Sequence, residues 1–416
     1  MIRSIALAHG DDPALRLHLN AHQRATLDAI ATCGTAGAGV NLEACDACGD
    51  RRYVPNTCGN RCCPHCQGHA RRAWVAAREA ELLPCGYFHA VLTLPPELRG
   101  LARAFPRAVL GCLITAAGQA IDRCCRQPRL LGATVGQLAV LHTWRRDLHW
   151  HPHVHVIVTA GGLTPTGRWI TARRYGRQRR AFLVPVAVLR AAFQRRLRRL
   201  LLRAFDTEAF EDGPTAAFPV LARRALFERH LFAIAQRPWV IRIEPPFGGP
   251  RQVLRYLGAY VNRVAISPQR VTAHDAAAGT VTYTWVTNAQ PKRPQQATLG
   301  AVEFLARFAQ HILPARFQRI RFHGLWATAH RRDTLHHAQE LAARARPAPP
   351  PAAPAPPDDT VVDPDAHATP CTCCHRGHYR RLPGTAIRPP PDQRRLILQA
   401  LRLERRPTPA EDTCCA

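Results

Sequence analysis

Two Cys-x-x-Cys steps constrain this chain more than any other feature. They are "CDAC" at Cys45 and Cys48 and "CPHC" at Cys63 and Cys66, with fourteen residues between them. So short a region has little apolar surface to bury, and paired thiolates at this separation can close tetrahedrally on one zinc ion. The chain has 16 cysteines. Its opening, "MIRSIALAHGDDPALRLHL", is too short in apolar run and too soon charged to read as a signal peptide. The cysteines therefore read as metal ligands rather than disulfides. Cys58 and Cys62 are surplus, each able to replace one of the four or to serve a second ion, and Cys33 and His69 are weaker candidates. Arg51, Arg52, Arg61, Arg71 and Arg72 surround the cluster and favour DNA contact. A smaller group, Cys371, Cys373 and Cys374, carries no assigned role.

The second feature is "HWHPHVHVIV", in which His149, His151, His153 and His155 alternate. Alternate residues of a strand share a face. Pro152 cannot donate to a sheet ladder, so the strand is expected to begin near His153, with Val154, Val156 and Val158 on the opposite face. His153 and His155 are then the cleanest same-face pair. Two neutral imidazoles and one further ligand would leave a divalent ion with open positions, able to polarise a phosphoryl oxygen. His89, Asp147, His149 and His151 are the candidates for that third ligand.

Charge points to the partner. Lys+Arg of 57 against Asp+Glu of 29 gives +28, with a pI near 10.9. Such a field favours a polyanion, most simply nucleic acid. No stretch reaches the roughly 18 consecutive apolar residues of a spanning helix, so a membrane is not expected and a cytoplasmic, nucleoid-associated protein is. Lys292 is the only lysine. A GC-rich genome accounts for arginine over lysine but not for the net charge. In "PVAVLRAAFQRRLRRLLLRAF", Leu189, Phe193, Leu197, Leu200 and Leu201 form one stripe, and the arginines lie mostly elsewhere. That helix faces either solvent or DNA.

The pattern of elements suggests four regions: a zinc-binding, DNA-contacting domain over 1–85, a catalytic domain over 86–345, a Pro/Ala linker over 346–370, and a basic, flexible tail over 371–416. "YFHAVLTLP", "QLAVLHTW", "HVHVIVTAGG", "WVIRIEPP" and "TVTYTWVT" read as strands. "RQVLRYLGAYVNRVAI" reads as a helix on which Tyr256 and Tyr260, four apart, share a face near Arg255 and Arg263. Two such hydroxyls can attack a phosphodiester in turn, or simply pack. A tyrosine pKa is about 10, so a metal and a base are needed for attack.

Several motifs in one order resemble the two-tyrosine HUH transposases of the IS ninety-one insertion-sequence family. "CDACG" with "TCGNRCCPHCQ" is similar to that family's zinc-binding region. "YFHAVLTLPPELR" resembles its first sheet strand, "LHTWRRDLHWHPHVHVIVTAGGL" its histidine segment, "PPFGGPRQVLRYLGAYVNRVAIS" its tyrosine helix, and "LPARFQRIRFHGLWA" its closing segment. The likeness covers roughly residues 15–340. It implies an α+β fold: an antiparallel sheet flanked by helices, with a small N-terminal zinc-binding domain. It further implies that His153 and His155 bind catalytic Mg²⁺ or Mn²⁺. Tyr256 or Tyr260 would attack single-stranded DNA at an element end, giving a 5′-phosphotyrosine for rolling-circle transposition, with Arg255 and Arg263 contacting DNA. No GxxxxGK[ST] loop occurs in the sequence, in keeping with chemistry that needs no nucleotide. Cys62 and Asn262 stand where the family has histidine, and Glu244 where it has lysine.

Three other functions compete. A plasmid replication initiator or relaxase would share the chemistry. A non-catalytic zinc-dependent regulator would keep every activity without the tyrosines. A metal-dependent hydrolase would need further His and Asp ligands on later strands, and no convincing set is present.

Overall fold

The computed structural model describes residues 1–66, 74, 78, 81–175, 180–211, 213–244, 265–286, 293–327, 331–345 and 369–403. The strands, in chain order, are β1 (Val40–Cys45), β2 (Arg51–Pro55), β3 (Tyr87–Thr93), β4 (Thr134–Trp144), β5 (Trp150–Leu163), β6 (Trp169–Thr171), β7 (Arg174–Tyr175) and β8 (Arg180–Ala181). There follow β9 (Ile241–Glu244), β10 (Val271–Asp275), β11 (Thr280–Trp285), β12 (Gln295–Gly300), β13 (Ile320–Gly324), β14 (Thr369–Pro370) and β15 (His378–Arg381). The chain divides into two compact units that cut across the four regions expected from sequence. One comprises 1–68, 266–312 and 349–416, and the other 69–265 and 313–348.

The unit built from 69–265 and 313–348 carries the histidines. Its sheet runs β13-β4-β5-β3-β9, every neighbour antiparallel, with β6 added to β5. Helices flank it, as an α+β fold requires. On one face Ala90, Leu92, Ala139, Leu141, Val154, Val156 and Val158 are buried in the main core. The helices Pro106–Cys125 and Val186–Asp206 supply Leu110, Leu113, Ile114, Leu189, Phe193 and Leu197 to that core. Pro106–Cys125 is the one helix among the described residues long and apolar enough to cross a membrane. Its apolar side is spent on the sheet, with eleven residues buried.

Strand β5 begins at Trp150, three residues before the start expected from Pro152. The β4–β5 register shifts between His142 and Trp144, beside the proline. An irregularity there removes the demand for a donated N–H. The Pro152 carbonyl still accepts from the Leu94 N–H at 3.0 Å.

The other unit contains the sheet β14-β15-β1-β2 and a separate antiparallel sheet β10-β11-β12. The helix Ala21–Thr32 is started by a capping box, in which Asn20 accepts from the Gln23 N–H and Gln23 returns a bond to the Asn20 N–H. Residues 369–403, which follow the Pro/Ala run, form strands β14 and β15 and the helix Pro391–Leu403 rather than a loose tail. Strand β15 pairs with β1 through Glu43–Arg381, Ala44–Arg380 and Cys45–Tyr379.

Candidate functional site

The second face of the histidine-bearing sheet changes character along its strands. Directly opposed residues of antiparallel strands point the same way. The register therefore puts Leu138, Val140 and His142 of β4 on the face of Ile157, His155 and His153 of β5, and adds Tyr87 and His89 from β3. At one end, Tyr87, Leu138, Val140 and Ile157 pack under Leu335, Ala338 and Ala342 of the helix Arg331–Arg344. At the other end the same face carries imidazoles.

Three of those imidazoles converge. His142, His153 and His155 each offer a ring nitrogen, and these nitrogens lie within 4.8 Å of one another. The His153 and His155 Nε2 atoms are 3.0 Å apart. His142, buried and stacked on Trp144 at 4.6 Å, is the third member that sequence reasoning missed. The signal lay in "QLAVLHTW", but only the β4–β5 register sets His142 directly opposite His153.

Hydrogen bonds behind His153 and His155 fix their tautomers. His153 Nδ1 lies 2.7 Å from the His151 carbonyl, so it carries the proton and leaves Nε2 a lone pair. His155 Nδ1 lies 2.8 Å from His89 Nε2, and His89 Nδ1 lies 3.3 Å from a Glu244 carboxylate oxygen. The carboxylate can only accept, so His89 donates through Nδ1 and accepts through Nε2. His155 then donates through Nδ1 and presents Nε2 as a lone pair. Burial holds the His89 pKa below its ordinary value, against the pull of Glu244, and so keeps that ring neutral. Two lone pairs facing each other at 3.0 Å can hold a cation between them, and three imidazoles suit a divalent transition ion. His89, one of the candidate third ligands, thus lies behind His155 and outside the trio. His149 instead pairs with Asp147 at 3.3 Å. The pKa of the half-buried His151 ring is pushed down to about 4, by desolvation first and the nearby His153 second.

The four cysteines expected round one zinc are divided between two groups. Cys63 and Cys66 join Cys33 and Cys58, whereas Cys45 and Cys48 join Cys371 and Cys374. In the first group the sulfurs stand 3.6 Å (Cys33–Cys66), 3.6 Å (Cys58–Cys66) and 3.7 Å (Cys33–Cys63) apart. Four thiolates about 2.3 Å from one ion stand roughly 3.8 Å from each other, so this set fits zinc. The Cys58 and Cys63 thiols hydrogen-bond Cys33 and lower its pKa, while the same contacts raise those of Cys58 and Cys63, so Cys33 is the first of the three to hold the thiolate form. Cys33, one of the weaker candidates in sequence, caps the C-terminal end of the helix Ala21–Thr32 and stands within this group. Cys62 is not in the group; its N–H donates to Asn60 at 2.8 Å.

Tyr256, Tyr260, Arg255, Arg263 and Asn262 lie outside the described residues. On the helix Val186–Asp206, Arg190 donates to the Trp239 carbonyl, Arg196 to Gln119, and Arg198 lies over Phe232. Arg195, Arg199 and Arg203 are exposed. The helix therefore spends half of these arginines on its own unit and turns half outward.

Comparison with known proteins agrees with both parts. Residues 136–334 match the family model described as "Putative transposase", and residues 5–94 match the one described as "Transposase zinc-binding domain". The two matched regions together are those of a transposase. The chain is 39% identical over 335 residues to "Putative transposase y4qJ" of Sinorhizobium fredii strain NGR234, covering 80% of this chain and 81% of that one. It is 30% identical over 328 residues to "Transposase for insertion sequence element IS801" of Pseudomonas savastanoi pv. phaseolicola, covering 78% and 75%. No solved structure matches. The chain belongs to the IS ninety-one family of transposases.

Proposed function

We propose that this transposase nicks single-stranded DNA at the ends of an insertion element through a tyrosine nucleophile and a divalent metal, as a step of rolling-circle transposition. The observation that carries this reading is the convergence of His142, His153 and His155 on one sheet face, with the lone pairs of His153 and His155 oriented from behind. When bound there, Mg²⁺ or Mn²⁺ supplies Lewis-acid polarisation of the scissile phosphate. Three imidazoles favour Mn²⁺ over Mg²⁺. The chain's own residues do the rest. Glu244 and His89 hold the His155 tautomer, and the His151 carbonyl holds that of His153. Tyr256 or Tyr260 attacks the phosphorus, the 3′-oxygen leaves, and the DNA 5′-phosphate remains on the tyrosine. The phosphotyrosine conserves the bond energy, and the other tyrosine serves the next transfer. The net charge of +28 supplies the attraction for DNA, with Arg255 and Arg263 beside the tyrosines. In the bacterial cytoplasm its place would be on the nucleoid.

The test is a cleavage assay with full-length protein, Mn²⁺ and single-stranded DNA carrying an element end. The expected product is a covalent protein–DNA band on a denaturing gel. It should vanish in Tyr256→Phe/Tyr260→Phe and in His153→Ala. Cutting without an adduct would replace the tyrosine with water as nucleophile. Binding without cutting on verified ends would overturn the catalytic reading.

A further inference from the structure

We propose that Cys45, Cys48, Cys371 and Cys374 hold a second structural zinc ion, which fastens the C-terminal segment to the N-terminal β1–β2 hairpin. The four sulfurs lie within 4.8 Å of one another. The cross pairs Cys45–Cys374 and Cys48–Cys371 are each 3.7 Å apart. That is the edge of a zinc–thiolate tetrahedron, roughly 3.8 Å, and far from the ~2.05 Å of a disulfide. No sulfur is shared with the Cys33, Cys58, Cys63, Cys66 group, so one ion cannot account for both.

Each half of the site is built by the same device. In "CDAC" the Ala47 N–H points at the Cys45 sulfur at 3.3 Å. In "CTCC" the N–H groups of Cys373 and Cys374 point at the Cys371 sulfur at 3.3 and 3.5 Å. Donors aimed at the leading sulfur of each pair stabilise thiolate, the ligand form.

The surroundings are shaped to bring the halves together. Gly377 lies against the first pair so closely that a Cβ there would stand 2.5 Å from the Ala47 Cβ, 2.7 Å from Asp46 Oδ1 and 2.7 Å from the Cys45 sulfur. Asp46 accepts from the His378 N–H at 2.8 Å and pairs with Arg380 at 2.9 Å. The Tyr379 hydroxyl donates to Asp50 at 2.5 Å, and the Arg52 guanidinium lies 3.9 Å over the Tyr379 ring. Simple burial of thiols does not explain the group, because Cys48 is exposed and Cys374 only half-buried. The adjacent Cys373 is exposed and stands outside the set.

The experiment counts thiolate-held zinc in the full-length protein. An organomercurial thiol reagent displaces the metal, and a colorimetric chelator reads it, so that any ion held by histidines alone is not counted. Two equivalents per chain are expected from the unaltered protein. Cys371→Ser/Cys374→Ser should release one, Cys58→Ser/Cys63→Ser one, and Cys373→Ser two. One equivalent from the unaltered chain would overturn the proposal, as would two from Cys371→Ser/Cys374→Ser. So would a Cys48–Cys371 or Cys45–Cys374 disulfide found by peptide mass mapping of the non-reduced protein. The count on the unaltered chain decides between one ion and two even if a variant misfolds.

Discussion

Replacing His89 with leucine tests the reasoning about the histidine trio, because His89 is not one of the three convergent rings. The substitution removes the acceptor 2.8 Å from His155 Nδ1. His89 is 3% exposed, so water does not readily take its place. A buried N–H left without a partner costs about 1–3 kcal/mol. Loss of such an outer partner typically weakens metal binding ~10–100-fold, or about 1.4–2.7 kcal/mol. The two independent magnitudes agree. Manganese affinity, read by titration with the electron paramagnetic resonance of free Mn²⁺, should therefore fall by one to two orders of magnitude in His89→Leu. His89→Gln, whose side-chain oxygen can accept from His155, should recover much of the loss. His153→Ala should abolish binding at this site. Unchanged affinity in His89→Leu, with His153→Ala defective, would refute the tautomer chain that runs from Glu244 through His89.

Phe193 is fully buried and meets Trp239 edge-on at 5.5 Å, so Phe193→Ala should cost about 3–5 kcal/mol in the urea unfolding of the sheet-bearing unit; a loss below about 1 kcal/mol would mean the helix Val186–Asp206 is not seated there. Acid should also destabilise the other unit. Burial lowers the pKa of His9 and of His274, whose rings meet edge-on at 5.4 Å, so the unfolded chain takes up protons first. Their contribution is complete above the unfolded value near 6.5 and is lost as pH falls toward the depressed folded values. Unfolding free energies at pH 7.5 and 5.5 should show a smaller acid loss in His274→Asn than in the unaltered chain, and an equal loss would rule out this source.

What the sequence disclosed and what it hid divide by distance along the chain. The parity of His153 and His155 is local, and strand β5 keeps it. The stripe Leu189, Phe193, Leu197, Leu200 and Leu201 is equally local; four of the five are buried and Leu200 is half-buried. His142 was out of reach because its place depends on which strand pairs with β5 and in what register. The cysteines show the same limit more sharply. Spacing brought Cys45 and Cys48 together with Cys63 and Cys66, because proximity in sequence was the only guide. The fold gives Cys48 a partner 323 positions away in Cys371. Glu244 stands out in sequence only as an acid where the family has lysine, but once β9 pairs with β3 it lies against His89 and has a use of its own.

The order of strands β14-β15-β1-β2 also sets a timetable for synthesis. Strand β1 leaves the ribosome early, yet one of its two edges waits for β15. The pairing of Cys45 with Cys374 spans 329 positions. At ~5–20 residues per second, that wait lasts roughly 15–65 s. Throughout it the nascent chain carries an unpaired strand edge and two uncommitted thiols, a template for pairing with a neighbouring chain. A prematurely stopped copy never closes that edge. Completion of this sheet is therefore coupled to the synthesis of β15, and a copy stopped before it is left open to aggregation and proteolysis.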